Sequence, residues 1–191
     1  MYYAAIKKSD VANGEGIRTT LFVSGCRNRC KNCFQPETWA FDYGNPFTNA
    51  VAEEIFRTFE NPAVRGLTVL GGEPMEPENQ AGLLPFLREF KQRFPKKTVW
   101  LYTGNLYEEL VGEPGSHPKC LDITGELLSL VDILVDGPFI EEKKRLGLRF
   151  RGSANQRIID MKKTLLSGEL TIWEGVREDK YYGEKNNDGK N

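Results

Sequence analysis

Short apolar runs alternate along this chain with longer amphipathic stretches. Runs rich in β-branched and aromatic residues predict strands at residues 19–23, 67–70, 98–102, 133–135, 157–159 and 170–173. Apolar residues at helical spacing predict helices at residues 49–59, 78–94, 106–111 and 126–130. In the longest of these, one face carries Leu83, Leu84, Leu87 and Phe90. The chain therefore alternates between strands and helices over most of its length.

This alternation predicts βαβ units, and hence an α/β fold with a mostly parallel sheet and helices outside it. In such folds ligands bind in the loops that follow the carboxyl ends of the strands. Unusual residues occur in the loops that begin at Ser24, Gly71, Thr103 and Asp136. We therefore expect the functional residues to lie in these loops.

The length of 191 residues fits one domain. An apolar content of 39% is enough for a hydrophobic core. We assign a single domain to residues 1–175. The polar residues 176–191 are expected to form a flexible C-terminal tail.

The composition narrows the classes of function. The 26 Lys and Arg residues nearly balance the 27 Asp and Glu residues, which argues against a nucleic-acid coat or a polybasic membrane binder. The mean hydropathy is −0.49, and no apolar run approaches the roughly 18 residues of a membrane span. The N-terminal residues lack the basic-then-apolar order of a secretion signal. We therefore expect a cytoplasmic protein whose cysteines are reduced.

Three of the four cysteines lie close together, directly after a predicted strand. Cys26, Cys30 and Cys33 have the spacing C-x3-C-x2-C. Thiolate ligands select zinc, Cu(I) or an iron–sulfur cluster. A structural zinc site needs a fourth ligand, which would have to come from Cys120 or His117. A [4Fe–4S] cluster held at three corners needs no fourth protein ligand, and the spacing alone leaves both possibilities open.

A second motif, Gly71-Gly72-Glu73-Pro74, follows the strand predicted at residues 67–70. Paired glycines let the backbone approach a ligand closely, and proline stiffens the exit from the loop. The cysteine spacing and this loop together resemble the radical S-adenosylmethionine superfamily. The resemblance implies that the three cysteines bind a [4Fe–4S] cluster and that the methionine moiety of S-adenosylmethionine chelates its fourth iron. It also implies that the Gly-Gly-Glu-Pro loop receives the amino group of the cofactor.

Further motifs are similar to those of the glycyl-radical activating enzymes. Residues 13–18, Asn-Gly-Glu-Gly-Ile-Arg, resemble the G-x-G-x-R entry sequence of that group, with Asn and Glu where Asp and Pro are common. Residues 34–39, 135–139 and 151–157 resemble motifs of the activators of anaerobic ribonucleoside-triphosphate reductases. The resemblance therefore runs from about residue 13 to residue 160.

This resemblance implies an incomplete (β/α)6 barrel and a radical mechanism. One electron from the cluster would cleave S-adenosylmethionine to methionine and a 5′-deoxyadenosyl radical, which would remove a hydrogen atom from a glycine of a partner protein. The implied partners are the large subunit of an anaerobic ribonucleoside-triphosphate reductase, through its glycyl loop, and a reduced flavodoxin-like electron donor. No direct nucleic-acid or membrane partner is expected. No catalytic residue is expected beyond those that hold the cluster and the cofactor.

The candidate cofactor-binding residues come from these motifs and from the predicted strand ends. They are Asn32, Cys33, Phe34, Gly71, Gly72, Glu73, Pro74, Thr103, Asp136 and Ser153. Asn32 stands where the superfamily often has an aromatic residue against the adenine, so Phe34 or Trp39 is an alternative adenine contact. Thr103 and Asp136 are candidates for the charged methionine end of the cofactor.

Two other functions stay open. The first is a different glycyl-radical activase, or a radical enzyme of similar size that acts on a small molecule. The second is a zinc-binding interaction module built on the cysteine cluster together with Cys120 or His117. Both residues also have simpler explanations, Cys120 as a free thiol and His117 as a surface residue.

Overall fold

The computed structural model describes residues 1–175, and the tail expected at 176–191 lies outside the described residues. Within them, a seven-stranded sheet has the order β3-β1-β2-β4-β5-β6-β7. The strands are β1 (Tyr2–Asp10), β2 (Ile17–Val23), β3 (Asn45–Pro46), β4 (Val64–Gly71), β5 (Thr98–Tyr102), β6 (Ile133–Asp136) and β7 (Arg157–Asp160). The helices are α1 (Asn49–Thr58), α2 (Pro77–Arg93), α3 (Tyr107–Leu110), α4 (Thr124–Ser129) and α5 (Met161–Ser167). None of these helices is both long and apolar enough to cross a membrane.

The body of the sheet is parallel. Strands β2, β4, β5 and β6 run in one direction, with a register that aligns Leu21, Val69, Leu101 and Leu134. Parallel neighbours need crossover connections, and α1, α2 and then α3 with α4 lie in these connections. Strands β1 and β7 add antiparallel partners beside β2 and β6. The predicted α/β fold with a parallel sheet body is confirmed, while the incomplete barrel stays a prediction.

The structure differs from the predicted elements at both ends of the domain. Strand β1 was not predicted, because its alternation is interrupted by Lys7 and Lys8 and most of its side chains are exposed or half-buried. Residues 170–173 form a single bridge, Ile159 to Ile172, and not the expected strand. Helix α5 was also missed, although its N-cap residue Asp160 accepts a hydrogen bond from Lys163 N at 3.0 Å.

The helix-bearing face of the sheet forms the main core. Leu21, Val69 and Leu101 are fully buried there. The apolar face predicted for α2 packs against them, and Leu83, Leu87 and Phe90 are also inaccessible to solvent. Burial of this apolar surface is the dominant favourable term in folding, so it fixes the strands whose ends carry the functional loops.

The opposite face carries a buried arginine, the last residue of the G-x-G-x-R sequence. Arg18 is only 1% exposed. Its guanidinium donates to Thr68 Oγ1 at 2.6 Å and to the carbonyl oxygens of Leu67 and Thr98 at 2.6 and 2.9 Å. Burial lowers the pKa of Arg18 to about 10. Because its partners lie on β4 and β5, Arg18 joins three neighbouring parallel strands below the loops.

Candidate functional site

Loops meet at the carboxyl ends of the parallel strands around a cavity of about 480 Å³. This volume lies within the range of roughly 300–1,000 Å³ that is usual for small-molecule sites. The loops follow β2, β4, β5 and β6, as the strand-end argument predicts. The lining residues are Cys26, Asn28, Cys30, Asn32, Cys33, Phe34, Thr38, Trp39, Leu70, Gly71, Gly72, Glu73, Tyr102, Thr103, Gly104, Gly137, Phe139, Glu141, Lys144, Gly152 and Gln156.

All three cysteines of the motif face this cavity as half-buried free thiols. Burial, with a further contribution from the Glu73 carboxylate, raises the pKa of the Cys26 thiol to about 11. Burial and the neighbouring Cys33 raise the pKa of Cys30. Cys26 and Cys30 are therefore protonated at neutral pH, and metal binding would displace those protons.

The arrangement of the donors suits a cluster better than a single ion. Among the described residues, no three Cys, His, Asp or Glu side chains converge closely enough to hold one metal ion. A [4Fe–4S] cluster binds each thiolate at a different iron atom, so thiols spaced around a cavity wall fit it. Cys120 is buried, and its Sγ donates to the carbonyl oxygen of Gly112 at 3.2 Å. The structure does not bring Cys120 or His117 to the cysteine cluster as a fourth zinc ligand.

The two glycines of the Gly-Gly-Glu-Pro loop let it lie directly against the start of the cysteine loop. The Gly72 N–H donates to Val23 O at 2.7 Å, and the Glu73 N–H donates to Gly25 O at 2.9 Å. A Cβ at Gly72 would lie 2.6 Å from the Gly25 carbonyl oxygen, and Gly71 has a φ of 113°. Side chains at these two positions would force the loops apart.

The Glu73 carboxylate joins three of the four loops that build the cavity, those after β2, β4 and β5. It is 1% exposed. Its Oε1 accepts hydrogen bonds from Met75 N at 2.9 Å and Thr103 Oγ1 at 2.8 Å. Its Oε2 accepts from Asn28 Nδ2 at 2.8 Å, Gly104 N at 2.8 Å and Asn105 Nδ2 at 3.1 Å. Since an ionised carboxylate has about four lone-pair sites, protein donors already saturate Glu73.

A second buried carboxylate, Glu76, holds the cysteine loop through Arg27. Glu76 Oε1 accepts from Arg27 N at 2.8 Å, and Oε2 accepts from Arg27 Nη1 at 2.6 Å. The exposed Glu78 accepts a further bond from Arg27 Nη2 at 2.5 Å. The residues that follow Cys26 are therefore held by carboxylates that lie just beyond the Gly-Gly-Glu-Pro loop.

Aromatic side chains form one wall of the cavity. Phe34 is 99% exposed although it lines the cavity. The Trp39 Nε1–H and the Tyr102 hydroxyl are buried without a hydrogen-bond partner. Buried polar groups usually have partners, so these two groups are exceptions within residues that line the cavity. Asn32 has a φ of 59°, a left-handed conformation that Asn adopts more readily than an aromatic residue does.

The other predicted cofactor residues divide into two groups. Thr103 lines the cavity, while Pro74 is buried beside it and is not in the lining. Asp136 is fully buried outside the lining, where Oδ1 accepts from Arg157 Nε at 2.9 Å and Oδ2 accepts from Tyr107 N at 2.8 Å. Ser153 is also buried outside it, and its Oγ accepts from Ile140 N at 3.2 Å. A cofactor contact of Pro74, Asp136 or Ser153 stays a prediction.

Sequence reasoning missed several residues that organise the site. Asn28 and Glu76 connect the cysteine loop to the neighbouring loop, and Lys119 reaches the same region from the loop between α3 and α4. Tyr102 lines the cavity, and so does Gln156, which was not missed because it belongs to the motif at residues 151–157. The available signal was the series of carboxylates in Glu73-Pro74-Met75-Glu76 directly after a buried strand, since buried charges need partners.

Comparisons with known proteins agree with this site. A family model described as a 4Fe-4S single cluster domain matches residues 12–159. The anaerobic ribonucleoside-triphosphate reductase-activating protein of Pasteurella multocida is 38% identical over 160 residues, which cover 83% of this chain and 96% of that protein. The protein of the same name from Vibrio cholerae is 39% identical, covering 83% and 97%. That of enterobacteria phage T4 is 34% identical over 158 residues, covering 83% and 93%.

Proposed function

The chain belongs to the family of anaerobic ribonucleoside-triphosphate reductase-activating proteins, and on that premise we propose that it is a radical S-adenosylmethionine enzyme. Its substrate is the glycyl loop of the large subunit of an anaerobic ribonucleotide reductase. One observation carries the proposal: the three cysteines and the Gly-Gly-Glu-Pro loop line the same cavity, and Glu73 joins the loops around it.

The cluster and the cofactor would share this cavity. Cys26, Cys30 and Cys33 would hold a [4Fe–4S] cluster, because three thiols are placed there and no fourth protein thiol accompanies them among the lining residues. When bound, the cluster and S-adenosylmethionine supply the electron and the adenosyl radical that remove hydrogen from a glycine. The chain itself contributes placement of the reacting groups and exclusion of water.

The backbone near Gly71 and Gly72 is the part of the cavity that suits the charged end of the cofactor. Glycine leaves peptide groups open to a ligand, and both residues line the cavity. Since the Glu73 carboxylate is saturated by five protein donors, we assign it the positioning of these peptide groups. Direct contact with the amino group is assigned to the loop's backbone.

The aromatic wall is the part that suits the adenosyl end. Phe34 offers an exposed ring beside Cys33, and the aromatic residues Tyr102 and Trp39 also line the cavity. Stacking on an aromatic ring is tolerant of geometry, so Phe34 can take the place of the aromatic residue that Asn32 replaces. We place the adenine against Phe34.

The remaining parts of the proposal concern the architecture and the electron donor. The buried polar face that contains Arg18 and the cavity at the strand ends suit an incomplete (β/α)6 barrel with the reaction at its open mouth.

Residues 139–163 hold eight Lys and Arg against three Asp and Glu. This local excess of positive charge suits docking of an acidic, flavodoxin-like donor.

Anaerobic purification followed by a cleavage assay tests this function. We expect a brown protein with about four irons per chain, which cleaves S-adenosylmethionine when it is reduced. Addition of the anaerobic reductase should produce a glycyl radical signal in electron paramagnetic resonance. Substitution of Cys26, Cys30 or Cys33 by Ala should abolish iron binding, while the matched control Cys120→Ala should retain it.

The outcomes separate the alternatives. A colourless protein that carries one zinc would overturn the proposal and favour the zinc module. Cofactor cleavage without a radical on the reductase would retain the superfamily and redirect the substrate to another glycyl-radical enzyme or to a small molecule.

A further inference from the structure

Lys119 is a buried lysine that reaches the cysteine loop from a distant part of the chain. It lies in the connection between α3 and α4 and is 6% exposed. Its Nζ lies 3.3 Å from Glu76 Oε1 and donates to Asn28 Oδ1. Asn28 lies between Cys26 and Cys30, 91 positions away in the chain. Lys119 therefore contacts the cysteine loop and the carboxylate that anchors it.

The backbone of Lys119 is held so that its side chain is aimed at this point. Gln80 Nε2 donates to the Lys119 carbonyl oxygen at 2.8 Å, and Thr124 Oγ1, whose proton is donated to Gln80 Oε1, lies 3.2 Å from the same carbonyl oxygen. Thr124 Oγ1 lies 2.7 Å from Gln80 Oε1 as well. Gln80 and Thr124 are fully buried. This support from α2 and α4 limits the freedom that a long lysine side chain otherwise has.

Asn28 is held from both ends of its side-chain amide. Its Nδ2 donates to Glu73 at 2.8 Å, while its Oδ1 accepts from Lys119. The chain of contacts Glu76–Lys119–Asn28–Glu73 thus runs beneath the cysteine loop and ends at the carboxylate that joins the other loops. Replacement of Lys119 would remove the donor to Asn28 Oδ1. It would also remove the ion pair with Glu76.

The charges around this network give Lys119 a second role. Glu73 and Glu76 are both 1% exposed, and Glu76 forms an ion pair with Lys119. The other cation near them, Arg27, has a side chain that is 54% exposed, and its charge is therefore more strongly screened by solvent. Lys119 has a 7% exposed side chain, so its charge acts across a medium of lower dielectric constant.

We propose that Lys119 is a positioning residue for the cysteine loop and a buried counter-charge that raises the reduction potential of the cluster held there. The inference rests on the proposed function in that it assumes a cluster at Cys26, Cys30 and Cys33. Reduction adds negative charge to the cluster, and a buried cation nearby favours the reduced state. Hydrogen bonding to Asn28 places the loop, and the ammonium charge sets the potential.

Three substitutions at one position separate these two roles. Lys119→Arg keeps the charge and the donors, Lys119→Gln keeps a donor toward Asn28 without the charge, and Lys119→Met keeps neither. Lys91→Met is the matched control. Lys91 pairs with the buried Asp132, which directly precedes the amino end of β6, at the sheet edge opposite the cavity.

The potential is measured by electron paramagnetic resonance during an anaerobic redox titration of each loaded protein. We expect a more negative midpoint for Lys119→Gln and Lys119→Met than for the wild type, and a midpoint close to the wild-type value for Lys119→Arg. Lys91→Met should lose stability without a shift in potential. A wild-type midpoint in Lys119→Gln would overturn the electrostatic role.

The positioning role is measured in the protein without a cluster, so it does not depend on the proposed function. Alkylation of the cysteine loop should be about tenfold faster in Lys119→Met than in Lys119→Gln, the size expected for loss of one hydrogen bond. Both variants lack the ammonium charge that lowers the pKa of Cys26, so this comparison isolates the hydrogen bond to Asn28. Lys119→Arg should restore slow alkylation. Equal rates in Lys119→Met and Lys119→Gln would overturn this role. If Lys119→Met does not fold, Asn28→Ala, which removes the acceptor of the same hydrogen bond, takes its place and is compared with the wild type. If the wild-type protein binds no cluster, the proposed function and the electrostatic role fail together, and the alkylation rates still decide the positioning role.

Discussion

The Asn28 side-chain amide donates a 2.8 Å hydrogen bond to the Glu73 carboxylate, 45 residues further along the chain. This bond joins the loop after β2 to the loop after β4. Glu73 also accepts hydrogen bonds from Thr103 and Gly104, which lie in the loop after β5. A motif glutamate that lines the cavity therefore acts as the junction of three of the four loops that build it.

Glu73→Gln should disrupt this junction. The new side-chain amide would point an NH₂ group at donors that now approach a carboxylate, which leaves buried donors without acceptors. We expect a loss of about 2–4 kcal/mol in the free energy of unfolding, measured by urea denaturation, together with reduced iron binding. The matched control is Glu78→Gln, because Glu78 is exposed and pairs only with Arg27 among the contacts described. It should cost no more than about 1 kcal/mol, and an equal loss in both variants would contradict the special role of Glu73.

Gly72→Ala should separate the two loops that carry the motifs. The added Cβ would lie 2.6 Å from the Gly25 carbonyl oxygen, which is backbone and cannot rotate away. We expect a loss of about 1–3 kcal/mol in stability and a lower iron content after anaerobic reconstitution. Gly125→Ala is the control, since no atom lies within 4 Å of its added Cβ. Gly125 lies in α4, where Ala should stabilise the protein by about 0.5–1 kcal/mol. A fully loaded, stable Gly72→Ala protein would argue against close approach of these loops.

Phe34→Ala tests the proposed adenine contact. Because Phe34 is 99% exposed, its loss should change the free energy of unfolding by less than about 0.5 kcal/mol. Loss of base stacking should weaken S-adenosylmethionine binding by about tenfold, measured by isothermal titration calorimetry on the loaded protein. Leu166→Ala removes a similarly exposed apolar side chain from α5 and should leave the affinity unchanged. Unchanged affinity in Phe34→Ala would move the adenine to Trp39 or another part of the wall.

Asp132→Asn tests the pH dependence of stability. Burial acts to raise the pKa of Asp132, but ion pairs with Lys162, at 2.8 Å, and Lys91 outweigh it and lower that pKa below its usual value of 3.8. A lowered pKa in the folded state adds stability above the pKa of the unfolded state, and this stability is lost as the pH falls through the folded value. The variant should be about 1–3 kcal/mol less stable at pH 7. In urea titrations at several pH values, the difference from wild type should shrink below about pH 4, and a constant difference would contradict the ion-pair explanation.

The sheet body could be predicted because its strands are buried on both faces. Runs such as residues 67–70 and 98–102 are apolar enough to identify without knowledge of their neighbours. Strand β1 could not be predicted, because Lys7 and Lys8 interrupt its alternation of apolar and polar residues. Its pairing with β2 is a tertiary contact that the local sequence does not contain. The antiparallel direction of β7 depends on residues 137–156, which contain no α-helix and carry no periodic signal.

The residues proposed to bind the cluster lie close together in the sequence, whereas the residues that support them do not. The three cysteines and the paired glycines are close in sequence, so their motifs suffice to predict a shared site. Lys119 and Asn28 meet across 91 positions, and Arg27 meets Glu76 across 49. Such pairs depend on the packing of α2 and α4, which no short window of sequence contains.

The anchoring of the cysteine loop by carboxylates has a consequence for oxygen damage. Small zinc domains unfold when their metal leaves, because the metal provides their folding energy. Here Glu73 and Glu76 hold the loop through protein contacts alone, and the apolar core lies on the other side of the sheet. We therefore expect a molecule that loses the proposed cluster to oxygen to keep the arrangement of this loop and to accept a new cluster under anoxic conditions. On this expectation, recovery from oxidation would require repair of the cluster and no new synthesis of the protein.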